Sequence, residues 1–497
     1  MLPFFEPVAM MRRLAARTLD WVNSATTKTV TISKKVPLMS ANTQQLSFSE
    51  KVGYGLGDGA SNFFFQTFNV FLLYYYTDIF GLSPAAVGTM LLVTKLIDAV
   101  TDPVMGMVAD RTNSRWGKFR PYLLWMAIPY GLCGYAMFAN PELSDSGKLV
   151  YAYITYTLMM LAYTAINVPY SALMGVISPV SIERTKVSSY RFFFAFTAGW
   201  LIVTFVRPLK DLLGGGDEVL GFQLTMAIFA VLSVLFFWLC FALTKERVVP
   251  PPKQSSNVKS DLKALLSNGP WMVLFIAGIL TLMSIAVRSG GTMYYFKYFI
   301  GDDGAVMFHL LGLDFDRTSI FMSLGLLAML VGITFTKTLA THFEKRTLMI
   351  VLSLGNVAAS IGFFFIPADQ YWTMVLVNCI GSIINGPTPA IVWAMYADSA
   401  DYGEWKTGRR TTGLIFSGIQ FAQKMGLAVG AGLSGYILAW YGFVANEVQT
   451  EETIMGIRLM FTIFPGVLAI FGTIAFFFYR LDRSMISTIE SELSTRA

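Results

Sequence analysis

Apolar residues in this chain gather into runs of about twenty, parted by short polar stretches, which is the length a helix needs to cross a bilayer. The runs lie at 55–80, 85–108, 121–140, 149–178, 189–208, 220–244, 271–300, 317–339, 347–367, 371–397, 411–441 and 456–480. None alternates with the period of two that marks a barrel strand. Because backbone groups in hydrocarbon must bond within their own segment, the pattern predicts twelve transmembrane helices. The longest internal polar break, 245–269, contains Pro250, Pro251 and Pro252 and divides the spans into two sets of six, 48–244 and 270–480. Two six-helix halves around a central cavity are the arrangement of the major facilitator fold. A faint echo of 106–115 at 339–346 fits such a repeat.

Loop charge sets the expected orientation. Basic residues follow the even-numbered runs: Arg111, Arg115, Lys118 and Arg120 after the second, Arg184 and Lys186 after the fourth, Lys245, Arg247, Lys253, Lys259 and Lys263 after the sixth, Lys345 and Arg346 after the eighth, and Lys406, Arg409 and Arg410 after the tenth. The opposite loops carry acids such as Glu142, Asp217, Asp302, Asp369 and Glu447. This asymmetry predicts both termini and the central loop in the cytoplasm of an inner-membrane protein. Residues 1–47, with Arg12, Arg13, Arg17, Lys28, Lys34 and Lys35 but no apolar core of signal-peptide length, are expected to be a basic cytoplasmic extension. Met39 is an alternative start, and 481–497 are expected to be a cytoplasmic tail.

Composition sharpens the exclusion. The chain has 497 residues, 55% hydrophobic and 14% charged, against about 25% charged in a typical soluble protein. A soluble fold has no way to hide that much apolar surface. The net charge of +6 resides in loops and forms no continuous patch, so nucleic-acid binding is not expected. Cys133, Cys240 and Cys379 lie singly, and His309 and His342 are far apart, which excludes a disulfide framework or a resident metal. No nucleophile–base pair or phosphate loop is present, so an enzyme is not expected. No cofactor is expected beyond a transported ion.

Charges inside the runs are the informative residues, because each costs about 2.5–3.5 kcal/mol at a helix centre and is usually inward-facing and functional. Lys95, Asp98 and Asp102 share one face of the second run by their spacing. Two carboxylates there offer hard oxygen ligands to Na⁺ or a site for a proton; alternatively they form a structural cluster with Lys95. Lys424 lies about 13 residues from either end of the eleventh run, roughly 20 Å from each interface, and needs a partner or a wet cavity. Arg191 and Arg288 lie inside the fifth and seventh runs.

The stretches Tyr54-Gly-Leu-Gly-Asp-Gly-Ala-Ser-Asn62, Tyr74-Tyr-Tyr-Thr-Asp78, Lys95-Leu-Ile-Asp98-Ala-Val-Thr-Asp102-Pro103, Arg115-Trp-Gly-Lys-Phe-Arg-Pro121, Asn167-Val-Pro-Tyr170, Tyr190-Arg-Phe-Phe193 and Asp398-Ser-Ala-Asp401-Tyr-Gly-Glu404 occur in that order. They resemble the glycoside–pentoside–hexuronide:cation symporters over about residues 47–480. The resemblance implies a cation site of Asp98, Thr101, Asp102 and Thr164. It also implies a sugar site of Ser61, Asn62, Tyr163, Asn167, Arg191 and Lys424, to which Arg288 is added here by its position in the membrane. Where the family's melibiose carriers have aspartates on the first and fourth helices, Asn62 and Asn167 stand here, which argues against melibiose. Thr101 replaces an asparagine of the family's cation site, leaving Na⁺ and H⁺ both open.

The mechanism implied is alternating access, with cation and sugar each tightening the other's binding. Asp110, Arg111, Arg115, Asp401, Glu404 and Arg409 are placed to form gating pairs, or else only mark topology. With Arg191, Arg288 and Lys424 all counted in a cavity whose acids are offset by a cation, the site would be positive and favour a uronide. The competing account pairs Lys424 with the second-helix acids and Arg288 with a backbone carbonyl. The expected partners are a small sugar, a coupling cation and the lipid bilayer, with the chain acting as a monomer. A lysolipid transporter of a related branch, or a non-transporting sugar sensor, remains the alternative.

Overall fold

Seven of the described long helices begin where the sequence supplies a side-chain oxygen to the first free amides. Ser47 and Glu50 form a reciprocal capping box at the first helix, and Ser83, Ser144, Asp217, Asn268, Asp316 and Thr450 cap others. In the computed structural model the described residues are 45–247 and 263–496, apart from 179–180, 264, 303, 311 and 409–411. The expected N-terminal extension and most of the central loop lie outside them.

In chain order the helices are α1 (Phe48–Val70, continued by Leu72–Tyr74 and a π turn at Tyr75–Ile79), α2 (Pro84–Arg111), α3 (Arg120–Trp125 and Ala127–Ala136), α4 (Asp145–Val176), α5 (Ser181–Gly214) and α6 (Glu218–Leu243). The second half repeats the series. It comprises α7 (Gly269–Tyr294 and a π turn at Tyr295–Ile300), α8 (Arg317–Thr334 and Thr336–His342), α9 (Lys345–Gly362), α10 (Tyr371–Asn385 and Thr388–Thr407), α11 (Thr412–Trp440) and α12 (Glu451–Phe461 and Ile463–Phe477). Among the described residues nine helices are long and apolar enough to cross a membrane. Grouping the described helices across their short breaks gives twelve segments, at the places the apolar runs predict. Large apolar side chains such as Leu132, Phe193, Phe365 and Trp440 face outward, as a surface in contact with lipid tails requires.

Three features were not foreseen. The loop between α7 and α8 folds into a short antiparallel hairpin, β1 (Phe308–Leu310) with β2 (Leu313–Phe315), in which Phe308 opposes Phe315. The C-terminal stretch is helical, α13 (Arg483–Arg496), and docks on α10: Ile489 is buried and Trp405 Nε1 donates to Glu492 at 2.8 Å. The third is an internal repeat. Tyr74-Tyr-Tyr-Thr-Asp-Ile-Phe-Gly81 and Tyr294-Tyr-Phe-Lys-Tyr-Phe-Ile-Gly301 each form a π turn closed by a glycine at φ 84° and 69° respectively, at matching ends of α1 and α7. Only glycine takes that left-handed turn at little cost.

Two apolar cores organise the packing. The larger runs from the first half into the end of the second half that is remote from the termini, joining Leu73, Tyr74, Val287, Tyr294 and Phe443. The smaller, around Trp271, Met395, Ile415 and Tyr479, lies towards the termini and joins the second half to Leu265 and to Ile489 of α13, with none of its residues from the first half. Apolar contact between the halves is therefore concentrated at the remote end.

Candidate substrate and coupling-ion site

Midway along α2 and α11 the two halves meet through ions. Lys424 Nζ lies 2.9 Å from Asp98 Oδ2 and also bonds Asp102. Thr164 of α4 donates to Asp98 and, at 3.0 Å, to Asp102. Asp98 is buried while Asp102 and Lys424 are partly open. One of the two carboxylate charges is thus offset from the opposite half. Lys95 makes none of these contacts and instead lines a small cavity between the halves with Asn69, Tyr156 and Ser434. Thr101, the remaining member of the expected cation set, bonds the backbone oxygen of Asp98.

Close helix approach makes the Lys424 contact reachable. A Cβ on Gly88 would come within 2.7 Å of the Gly432 oxygen, and one on Gly435 within 2.3 Å of the Pro84 oxygen, so these small residues let the backbones of α2 and α11 nearly touch. From that crossing, Asp98 and Lys424 lie ten and eleven residues deeper on antiparallel helices, and so reach the same level.

Beside the ion cluster, α1, α4 and α5 assemble a polar wall. Ser61 Oγ donates to Asn167 Oδ1 at 2.6 Å, and Asn167 Nδ2 donates to the Tyr163 oxygen at 3.1 Å. Asn62 Nδ2 donates to the Asp58 oxygen at 2.8 Å. Arg191 approaches the same face: its Nε is 3.2 Å from Asp58 Oδ1, and its guanidinium carbon lies 5.5 Å from the centre of the Tyr170 ring. Hydroxyls, amides and an ion pair in a single wall suit a polyhydroxylated molecule.

Comparison with known proteins fixes the family. A family model described as MFS/sugar transport protein matches residues 53–483. The inner membrane symporter YicJ of Escherichia coli is 37% identical over 90% of this chain and 95% of its own length. The putative glycoside/cation symporter YagG of the same organism is 36% identical (90% and 95%), and the isoprimeverose transporter of Lactiplantibacillus pentosus is 32% identical (92% and 94%). The crystal structure of nucleoside transporter NupG, at 13% identity, aligns with a TM-score of 0.57 over 87% of this chain and 99% of that one, a likeness of fold. The chain belongs to the MFS/sugar transport family.

This MFS transporter is a multi-pass membrane protein and not an enzyme. Its expected site residues Ser61, Asn62, Tyr163, Asn167 and Arg191 lie along one polar wall, and Asp98, Asp102, Thr164 and Lys424 form the adjoining cluster. Arg288 is not brought there. Its guanidinium lies 4.6 and 4.4 Å from the ring centres of Phe363 and Phe461, and it donates to Ser360 Oγ at 3.4 Å and the Phe461 oxygen at 3.5 Å. Arg288 therefore faces α9 and α12, where aromatic rings and a backbone carbonyl offset its charge. The premise of a positive cavity fails with it, since Lys424 and Arg191 are already paired with carboxylates.

The gating candidates are less gathered. Arg111 and Arg115 are exposed, and Arg115 covers the Trp116 ring at 4.3 Å. Asp401 and Glu404 are half-buried on α10. Arg409 and the side chain of Asp110 lie outside the described residues.

Two carboxylates that matter were not singled out from sequence. Asp58 was visible as a charge within an apolar run, the signal that marked Asp98. Glu246 follows α6, and its carboxylate accepts from the backbone amides of Lys118, Phe119 and Arg120 at 2.9, 2.8 and 2.9 Å. A Cβ on Gly117 would strike Glu246 at 2.4 Å, so the Arg115–Pro121 motif here anchors the start of α3.

Proposed function

We propose that this transporter moves a glycoside across the inner membrane by symport with Na⁺ or H⁺, the cation acting at Asp98 and Asp102 and the sugar at the wall of Ser61, Asn62, Tyr163, Asn167 and Arg191. The observation that supports this most is Lys424, which reaches across the boundary between halves to contact both acids and offset one of their two charges. Inter-half charge pairs of this kind are what a bound cation or proton would displace, coupling ion occupancy to the packing of the halves. Proximity of the two sites, through Thr164 and Asn167 one turn apart on α4, supports reciprocal tightening of cation and sugar. The names of YagG and of the isoprimeverose transporter support a glycoside as cargo.

In this reading both termini are cytoplasmic, and the end rich in inter-half contacts is the outer one. The closed outer end then corresponds to a state open, or about to open, to the cytoplasm, from which sugar is released in import. The test is counterflow in proteoliposomes over a panel of glycosides, each with Na⁺ or choline and at two pH values. Saturable exchange of at least one glycoside, stimulated by Na⁺ or by a proton gradient, is expected. Exchange of none of them, with transport of lysolipid instead, refutes the reading.

A further inference from the structure

Asp58 stands in α1 one turn before Asn62 and three residues before Ser61, on the same helix face as both. Its side chain is 11% exposed and lies 3.2 Å from Arg191 Nε, whose side chain is 32% exposed. The arrangement is built into the backbone. A Cβ at Gly55 would meet Phe194 at 2.5 Å and one at Gly57 would meet Tyr170 at 2.5 Å, so both glycines are needed for α1 to lie this close to α5 and α4. That approach sets the Asp58 carboxylate against Arg191. The arginine is thereby held at the polar wall with its charge already matched.

We propose that Asp58 is a specificity-determining residue that makes the site select uncharged glycosides over uronides, by occupying Arg191. This rests on the reading of that wall as the sugar site. An unpaired guanidinium at the wall would be the natural partner of a sugar carboxylate, through a bidentate charge-assisted contact. With Asp58 in place, an incoming carboxylate would have to displace a buried carboxylate or leave it beside a second negative charge, and both are costly. A neutral sugar meets neither obstacle. The paired guanidinium, the more exposed of the two, still offers N–H donors to a sugar hydroxyl, which can accept.

The proposal makes predictions of opposite sign for the two partners. The full chain, reconstituted in proteoliposomes, is assayed for competition by p-nitrophenyl glucosides, xylosides and galactosides of both anomers, against the corresponding p-nitrophenyl glucuronides and glucosaminides. Asp58→Asn frees Arg191 and should raise the affinity of a glucuronide relative to its glucoside by about tenfold, the value of one modest charge-assisted contact. Arg191→Gln frees Asp58 and should instead raise the relative affinity of the cationic glucosaminide. Rearrangement of preference in both directions is not what loss of packing produces. An unchanged ranking in both variants overturns the proposal, as does loss of every sugar class in an Asp58→Asn protein that remains monodisperse. If that variant does not remain monodisperse, Arg191→Gln decides alone, and no gain for the glucosaminide overturns the proposal. Wild-type protein that exchanges no glycoside refutes the underlying sugar-site reading instead, a result distinct from an unchanged ranking.

Discussion

The ammonium of Lys424 lies 2.9 Å from a carboxylate oxygen of Asp98 and joins the two halves of the transporter at mid-helix. It also bonds Asp102, so one lysine stands where a coupling cation would stand between two acids. Removing it should leave two carboxylates that an ion or proton must neutralise, with the buried Asp98 carrying an uncompensated charge. Lys424→Met should therefore be less stable than the parent, and should gain a larger thermal shift from Na⁺ or from acidification. Asp98→Asn should show the reverse, no cation-dependent shift and no uphill accumulation, with downhill exchange retained. Scanning fluorimetry of the three proteins in Na⁺ and choline checks this. Equal shifts in all three would remove the cation from this site.

How much of this was readable beforehand differs from residue to residue. Asp98 and Asp102 declare themselves because charge in an apolar run is expensive wherever the helix faces. Lys424 declares its need for a partner by its distance from either interface. The competing account names the second-helix acids as that partner; the geometry behind it was not readable, since Asp102 is 322 residues away and the Gly88–Gly432–Gly435 crossing brings the two together. Counting Arg288 in the cavity fails for a related reason, while the competing account, Arg288 on a backbone carbonyl, agrees with its bond to the Phe461 oxygen. α7 is apolar on most faces, so the pattern fixes that a helix exists but leaves its rotation open, and Arg288 turns to Phe363 and Phe461. The paired π turns of α1 and α7 were likewise hidden, because their kinship shows in backbone and glycine positions more than in side chains.

At the start of α5, Glu183 is held by three donors: Lys186 and Lys51 at 2.8 and 2.9 Å, and the amide of Leu46 at 3.1 Å. The bonds from Lys186 and Lys51 hold its carboxyl at about 2, down from an ordinary value of 4.5. A carboxylate with a depressed native pKa contributes stability that is complete above its unfolded value and is lost as pH falls towards the native one. Glu183→Gln should cost roughly 1–3 kcal/mol at neutral pH, as loss of charged hydrogen bonds does. The gap to the parent should close between about pH 4.5 and pH 2. Melting temperatures in detergent across that range test it, and a gap that persists unchanged at pH 2 would show that the carboxylate charge is not responsible.

Orientation gives a further prediction. Basic residues crowd the loops on the side of both termini, while the loop after α5 carries Asp217 and Glu218. Fusions of a cytoplasm-active reporter after Ala497 and within the 248–262 loop should both be active, and one at Gly214 should be silent. An active reporter at Gly214 together with a silent one at Ala497 would invert the assignment, and matched activity at both would break the even helix count.

The last prediction concerns the end at which the halves close. The two π turns that repeat each other also face each other. Lys297 Nζ bonds Asp78 Oδ1 at 2.9 Å, Tyr298 donates to the same carboxylate, and the Thr77 and Tyr294 hydroxyls are 2.6 Å apart. Asp78 is buried, so those partners take the place of water around its carboxylate. Nearby, Arg207 of α5 binds Asp316 at the start of α8. A gate made from pseudo-symmetric turns has a definite weak point, because one carboxylate from the first half answers two donors from the second. Asp78→Asn keeps the shape and removes the charge that Lys297 and Tyr298 share. The variant should spend more time open at this end. An Asn62→Cys reporter, in a background with Cys133, Cys240 and Cys379 replaced by serine, should then react severalfold faster with a membrane-impermeant maleimide added from the α1–α2 loop side. Lys297→Met should act in the same direction. Labelling as slow as in the parent for both variants would mean that the apolar contacts of Tyr74, Tyr294 and Phe443, and not the Asp78 network, keep this end shut.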